Sequence, residues 1–101
     1  MFVRLTFCKF LPEKISEARK VYHEEVMPAL RKQTGLLHVR FLEPTDKSGD
    51  YVSITEWSTK ADAELYDASG LYKKLVNKLE AYFVKQPELK TYTVEDIFEH
   101  A

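Results

Sequence analysis

The chain holds 101 residues, 45% apolar and 31% charged, with 3 Gly and 4 Pro; this is the balance of a globular protein, and the length suits a single domain over residues 1–101 that removes roughly two-thirds of its unfolded surface from water. Lys and Arg number 15 against 16 Asp and Glu, for a formal net charge of -1, so no basic field exists to collect phosphates, and nucleic acid is not an expected partner. Cys8 is the single cysteine, which rules out an internal disulfide and fits a reducing, cytoplasmic setting, while the charges within MFVRLTFCKF argue against a signal peptide or a membrane span.

Residues 2–10 alternate Val3, Leu5 and Phe7 with Arg4, Thr6 and Cys8, the period of two of a first strand. Pro12 suits the first turn of a helix, and Ile15, Ala18, Tyr22, Val26 and Leu30 follow at three- or four-residue spacing, giving that helix one apolar face. Pro28 removes an amide donor inside the pattern, so a kink or break is expected over residues 24–27. Gly35 is placed to end the helix in a left-handed conformation.

Residues 36–42 and 51–57 are β-rich, and the turn formers of residues 43–50 join them as a hairpin with a long loop. Thr59 with Asp62 three positions on reads as a helix N-cap, and Leu65, Leu71, Leu75, Leu79 and Phe83 continue the helical spacing. Gly70 interrupts this run, which predicts a short helix followed by a longer one. Residues 89–98 are rich in Thr, Tyr, Val and Ile and form a fourth strand, with residues 99–101 as a tail.

The order βαββαβ predicts an α+β, ferredoxin-like fold: a four-stranded antiparallel sheet with its helices on one face. Val3, Leu5, Phe7, Val39, Phe41, Val52, Ile54 and Glu56 are expected to face the helices. The other face would then carry Cys8, Leu36, Leu42, Tyr51 and Trp57 among Arg4, Thr6, His38, Arg40, Ser53 and Thr55. Such a mixed surface suits a subunit interface, so a homodimer through the open sheet face is the expected assembly.

Several stretches resemble the antibiotic biosynthesis monooxygenase superfamily: the opening strand before Leu11-Pro12, Val26-Met27-Pro28-Ala29-Leu30, Gln33-Thr34-Gly35-Leu36, Ile54-Thr55-Glu56-Trp57 running into Ser58-Thr59-Lys60-Ala61, and Ala68-Ser69-Gly70-Leu71-Tyr72. The resemblance spans nearly the whole chain and implies a dimeric α+β barrel with a small pocket between sheet and helices. It also implies either oxygenation of aromatic or quinol substrates without an added cofactor, or haem degradation. Haem-degrading relatives use a His just past the helix break and a strand-one Asn. Here Tyr72-Lys73-Lys74-Leu75-Val76 and Phe7 stand at those places, so haem chemistry is not expected.

An inward apolar face suits a flat aromatic ligand, although the same residues also serve simply as core. Glu56 on that face is the candidate general base for a phenolic proton, and Tyr66 and Tyr72, flanking Gly70, are the candidate polar catalytic groups. Phe7, Phe41, Tyr22, His23 and Leu71 are the candidate substrate contacts. No metal is expected, because His23, His38 and His100 are widely spaced and no cysteine pair exists; with no glycine-rich phosphate loop, no nucleotide or flavin cofactor is expected either. Two functions follow as expectations: a cofactor-independent monooxygenase of a small aromatic or quinol-like molecule, or a non-catalytic dimeric small-ligand-binding or stress-related accessory protein.

Overall fold

The alternating N-terminal run forms strand β1 (Phe2–Cys8) of the computed structural model, which describes residues 1–100. Ala101 lies outside the described residues. Strands β2 (Leu36–Leu42), β3 (Tyr51–Trp57) and β4 (Glu88–Thr93) complete an antiparallel sheet in the order β2-β3-β1-β4. The expected ferredoxin-like α+β topology is the observed one. Strand β4 is shorter than residues 89–98: beyond it Val94 donates its amide to the Met1 carbonyl, and Ile97 and Phe98 are exposed.

The first helical region begins as a 3-10 turn (Pro12–Lys14), continues as α1 (Ile15–Val21), widens into a π turn (Tyr22–Val26) and closes as α2 (Met27–Leu30). The irregularity falls where Pro28 predicts it. Pro28 has no amide to offer the carbonyl four residues back, and the ladder shifts so that the Met27 amide bonds to Tyr22, five residues away. The shift keeps Ala18, Tyr22, Val26 and Leu30 all buried on one face.

Helix α3 (Lys60–Ala68) starts at Thr59, whose hydroxyl oxygen accepts the Asp62 amide at 3.1 Å, and α4 (Leu71–Leu79) starts at Gly70 with φ +82°. The expected cap and break are thus both present. Leu65 departs from the predicted apolar face and is 71% exposed; six residues before Leu71, it would point about 120° away from it even on an unbroken helix. The face of α3 that reaches the core is Ala63 and Tyr66.

Strand pairing settles the faces of the sheet, since residues directly opposite one another project to the same side. Trp57, with no exposed surface, packs under the helices, and Thr55, Ser53 and Tyr51 follow it at a period of two. Their β1 partners are Phe2, Arg4, Thr6 and Cys8, and Val39 and Phe41 of β2 join them opposite Thr55 and Ser53. Val3, Leu5, Phe7, Val52, Ile54 and Glu56 therefore lie on the open face, the reverse of the expectation for β1 and β3. Only Val39 and Phe41 lie where expected among the inward positions of the sheet. The expectation failed because alternation gives two sets of residues without saying which is inside. No described helix is long and apolar enough to cross a membrane.

Candidate functional site

Inverted strand polarity builds the site. Arg4, Thr6 and Cys8 of β1 and Ser53 and Thr55 of β3 form the floor of a cavity whose walls are the π turn, α2, the α3–α4 corner and Phe83. The cavity measures about 40 Å³ and is partly open to solvent. That is room for a few waters and far below the several hundred Å³ of a preformed ligand pocket.

Three phenols converge on it. Tyr22, held inward by the π turn, shares a 2.7 Å hydrogen bond with the Ser53 hydroxyl and stacks on Phe41 with ring centroids 3.9 Å apart. Tyr72, in the first turn of α4, meets the Thr6 hydroxyl at 3.3 Å. Tyr66, on the inner face of α3, lies 4.9 Å from the Trp57 ring, whose indole N–H donates to Thr55 at 2.9 Å. Arg4 threads between these rings, its guanidinium 4.6 Å from the Tyr72 centroid and 5.5 Å from that of Tyr66. It is 5% exposed, and its outer edge reaches Asp67 at 3.5 Å.

Burial dominates the proton affinities. It pushes the Tyr22 hydroxyl up to about 12 against the lowering effect of the Ser53 hydrogen bond. Tyr66 and Tyr72 are also raised by burial, while Arg4 pulls both downward and Thr6 further lowers Tyr72. Burial, assisted by Asp50, takes the Cys8 thiol to about 12. The three phenols are therefore neutral, and Cys8 is a thiol rather than a thiolate nucleophile. Arg4 is the one charged side chain lining the cavity, whose described lining contains no carboxylate and no imidazole.

Of the eight candidate site residues, the fold brings Tyr22, Tyr66 and Tyr72 to the cavity. Phe41 lies behind Tyr22 as its stacking partner, and Leu71 packs against the core beside the α3–α4 corner. His23 is exposed, its ring perpendicular to that of Tyr22 at 6.2 Å. Glu56 and Phe7 are on the far side of the sheet, Glu56 opposite Val3 and His38, and Phe7 beneath Lys90 at 5.6 Å. The backbone of the sheet separates the Glu56 carboxyl from the cavity. Arg4, Thr6, Ser53 and Thr55 were not expected at the site because the polar set of each strand was placed on the outer face, at the expected subunit interface. Trp57 carried the missing signal: the largest apolar residue of β3 belongs in the core, and its parity draws Thr55 and Ser53 inward with it.

The profile of the family described as Antibiotic biosynthesis monooxygenase matches residues 1–78. No curated protein sequence matches the chain significantly. Among solved structures, a Deinococcus radiodurans protein named for the same family superposes with a TM-score of 0.83 at 14% identity, covering 100% of this chain and 99% of its own. A monooxygenase from Streptomyces coelicolor in complex with the ligand Nanaomycin D gives a TM-score of 0.81 at 15% identity, covering 99% and 92%. A mutant of MhuD with two manganese protoporphyrin IX bound per active site gives 0.81 at 13% identity, covering 99% and 100%. These likenesses share the sheet and helices that enclose the cavity, and with more than half its sequence matched by the profile, the chain belongs to the antibiotic biosynthesis monooxygenase family.

Proposed function

We propose that the chain, acting as one domain over residues 1–101 in the cytoplasm, is a cofactor-independent monooxygenase of a small aromatic or quinol-like substrate. The observation that carries this reading is the convergence of three neutral phenols on an apolar cavity between sheet and helices. Ring stacking on Tyr66 and Tyr72 would hold a flat substrate, and the Tyr72 and Tyr22 hydroxyls would orient its oxygen. For a phenol oxidised to a quinone, one atom of dioxygen enters the ring and the other leaves as water. The phenolic proton and one ring hydrogen complete that water, and the ring supplies the electrons. With no carboxylate lining the cavity, the phenolic proton passes to solvent through the open mouth. Glu56 has no part in this scheme.

The test is oxygen uptake by the purified chain with a panel of quinols and polycyclic phenols. One dioxygen consumed per quinone formed is expected, and Tyr72→Phe should slow uptake about tenfold while leaving the fold intact, the effect of losing one well-placed hydrogen bond in the transition state. Equal turnover by that variant would sink the role of Tyr72.

The size of the cavity supports a second reading. At about 40 Å³ it must expand to admit even one ring, which suits a non-catalytic module that binds a small ligand, or a stress-related accessory, as well as it suits an enzyme. Saturable binding of aromatics without oxygen uptake would select this alternative. Under either reading, two copies are proposed to pair through the open sheet face, where Val3, Leu5, Phe7, Val52 and Ile54 are only half-buried by the described residues.

A further inference from the structure

We propose that the cavity selects aromatic anions, and that Asp67 is the internal substitute for the ligand's acid group: a carboxylate or ionised ring hydroxyl entering the cavity takes over Arg4 from Asp67. The inference rests on the cavity being the ligand site, as read above, and adds the charge class of the ligand and the device that sets it.

The Arg4 side chain, 6% exposed, has lost most of its water, and a buried charge is tolerated where other groups replace that hydration. Here the replacement is incomplete. The central carbon of the guanidinium lies over two ring faces, those of Tyr66 and Tyr72, but a ring face is a weak substitute for the oxygen acceptors that its N–H groups prefer. Among the described residues one side chain accepts from it, Asp67, through a single Nη2 contact at 3.5 Å. Arginine presents five donors in a planar fork that matches a carboxylate two bonds at a time. One long contact to an exposed aspartate uses little of that capacity.

Position supplies the second half of the argument. Arg4 lines the cavity and Asp67 does not; the Asp67 side chain is 56% exposed at the end of α3. The guanidinium thus stands between a surface carboxylate on one side and an apolar, aromatic chamber on the other. A solvated ion pair of this length is weak and easily exchanged, whereas an anion held inside, away from water, meets the same cation with less screening. Tyr66 and Tyr72 beside the guanidinium, with Leu75, Leu79 and Phe83 further along the same lining, call for an aromatic body behind the acid group. The corner that would yield is at hand: Asp67 is three residues before Gly70, where nothing lies within 4 Å of the place a Cβ would occupy.

The test uses the intact chain and a matched pair of probes, 2-naphthoate and the neutral 2-naphthamide, followed through the fluorescence of Trp57, the chain's one tryptophan. Naphthoate is expected to bind about tenfold tighter than the amide or more, the range of a charge-assisted hydrogen bond. Asp67→Asn removes the competing carboxylate from an exposed site and should tighten naphthoate about two- to fivefold with no change for the amide. Arg4→Gln should erase the preference between the two probes; if circular dichroism shows that this variant does not fold, the sign of the Asp67→Asn effect decides. Equal binding of acid and amide, or weaker naphthoate binding by Asp67→Asn, overturns the proposal while leaving oxygen uptake with neutral quinols untouched. Selective naphthoate binding without any quinol turnover would retain anion selectivity and remove the monooxygenase reading. Binding of neither probe would overturn this proposal, and quinol turnover would then be the separate judge of the cavity.

Discussion

The two faces of the sheet invert the usual distribution of polarity. Toward the helices, around the cavity, β1 and β3 place Arg4, Thr6, Ser53 and Thr55 beside Phe2, Cys8, Tyr51 and Trp57; toward the open side they place Val3, Leu5, Phe7, Val52 and Ile54. Each inner polar group has a use that the position explains. Tyr22 and Ser53, Thr6 and Tyr72, and Trp57 and Thr55 form hydrogen-bonded pairs, and among the described residues no fully buried side-chain N or O atom is left without a partner. The outer apolar groups have no such account within one chain. The contrast teaches that the helix face is organised around its cavity, and it is the ground for the proposed pairing of two copies through the open face.

The largest effect is expected from removing the anchor of the inner face. Trp57→Ala empties a site with no exposed surface and should cost about 3–5 kcal/mol, read as a collapse of the urea midpoint; a loss below 1 kcal/mol would mean that the helices do not depend on that anchor. Next, Phe7→Asp places a charge amid the outer apolar set and should raise the dimer dissociation constant at least about a hundredfold, since a desolvated unpaired charge costs several kcal/mol. Light scattering at micromolar concentration checks this, and a wild-type monomer under those conditions would dissolve the interpretation of the open face.

Alkaline titration probes the inner face from another direction. The Cys8 thiol rises from its ordinary value of 9.0 to about 12 and the Tyr22 hydroxyl from 10.0 to about 12, chiefly through burial. Above pH 9 the unfolded chain has released the thiol proton while the folded chain keeps it, so stability is whole below pH 9 and falls as pH rises toward 12. Melting temperatures from pH 8 to 11 should drop along this course, and Cys8→Ser should flatten its first part. A flat profile to pH 11 would contradict the burial of these groups. The smallest effect belongs to Glu56→Gln: with its carboxyl across the sheet from the cavity, oxygen uptake should stay within about twofold of wild type, near the limit for a group outside the reaction.

Much of the architecture was legible in the sequence, because its signals are local. The Ala18-to-Leu30 stripe, the Thr59 cap, the Gly70 break and the Pro28 irregularity each express a steric or hydrogen-bonding rule that acts within a few residues. Gly35 is of the same kind, a left-handed residue with φ +82°. The site was less legible because it depends on which face of a strand is inside, and that choice is made by long-range pairing. With an apolar set on one face of β1 and a polar set on the other, hydrophobicity favours the wrong answer; the weight of Trp57, carried across the β3–β1 register, gives the right one. The end of β4 was overread because its β-formers continue past Thr93, where pairing with β1 has run out.

A π turn contains one residue more than the α-helical turn it replaces, so the segment Tyr22–Val26 makes length itself a marker of descent. Homologues one residue shorter between the counterparts of Ala18 and Leu30 should have an unbroken helix and no proline at the place of Pro28, whereas homologues of equal length should retain the widened turn and, with it, an aromatic residue aimed at the sheet. Gap positions in future alignments of the family can be placed by this geometry rather than by similarity scores.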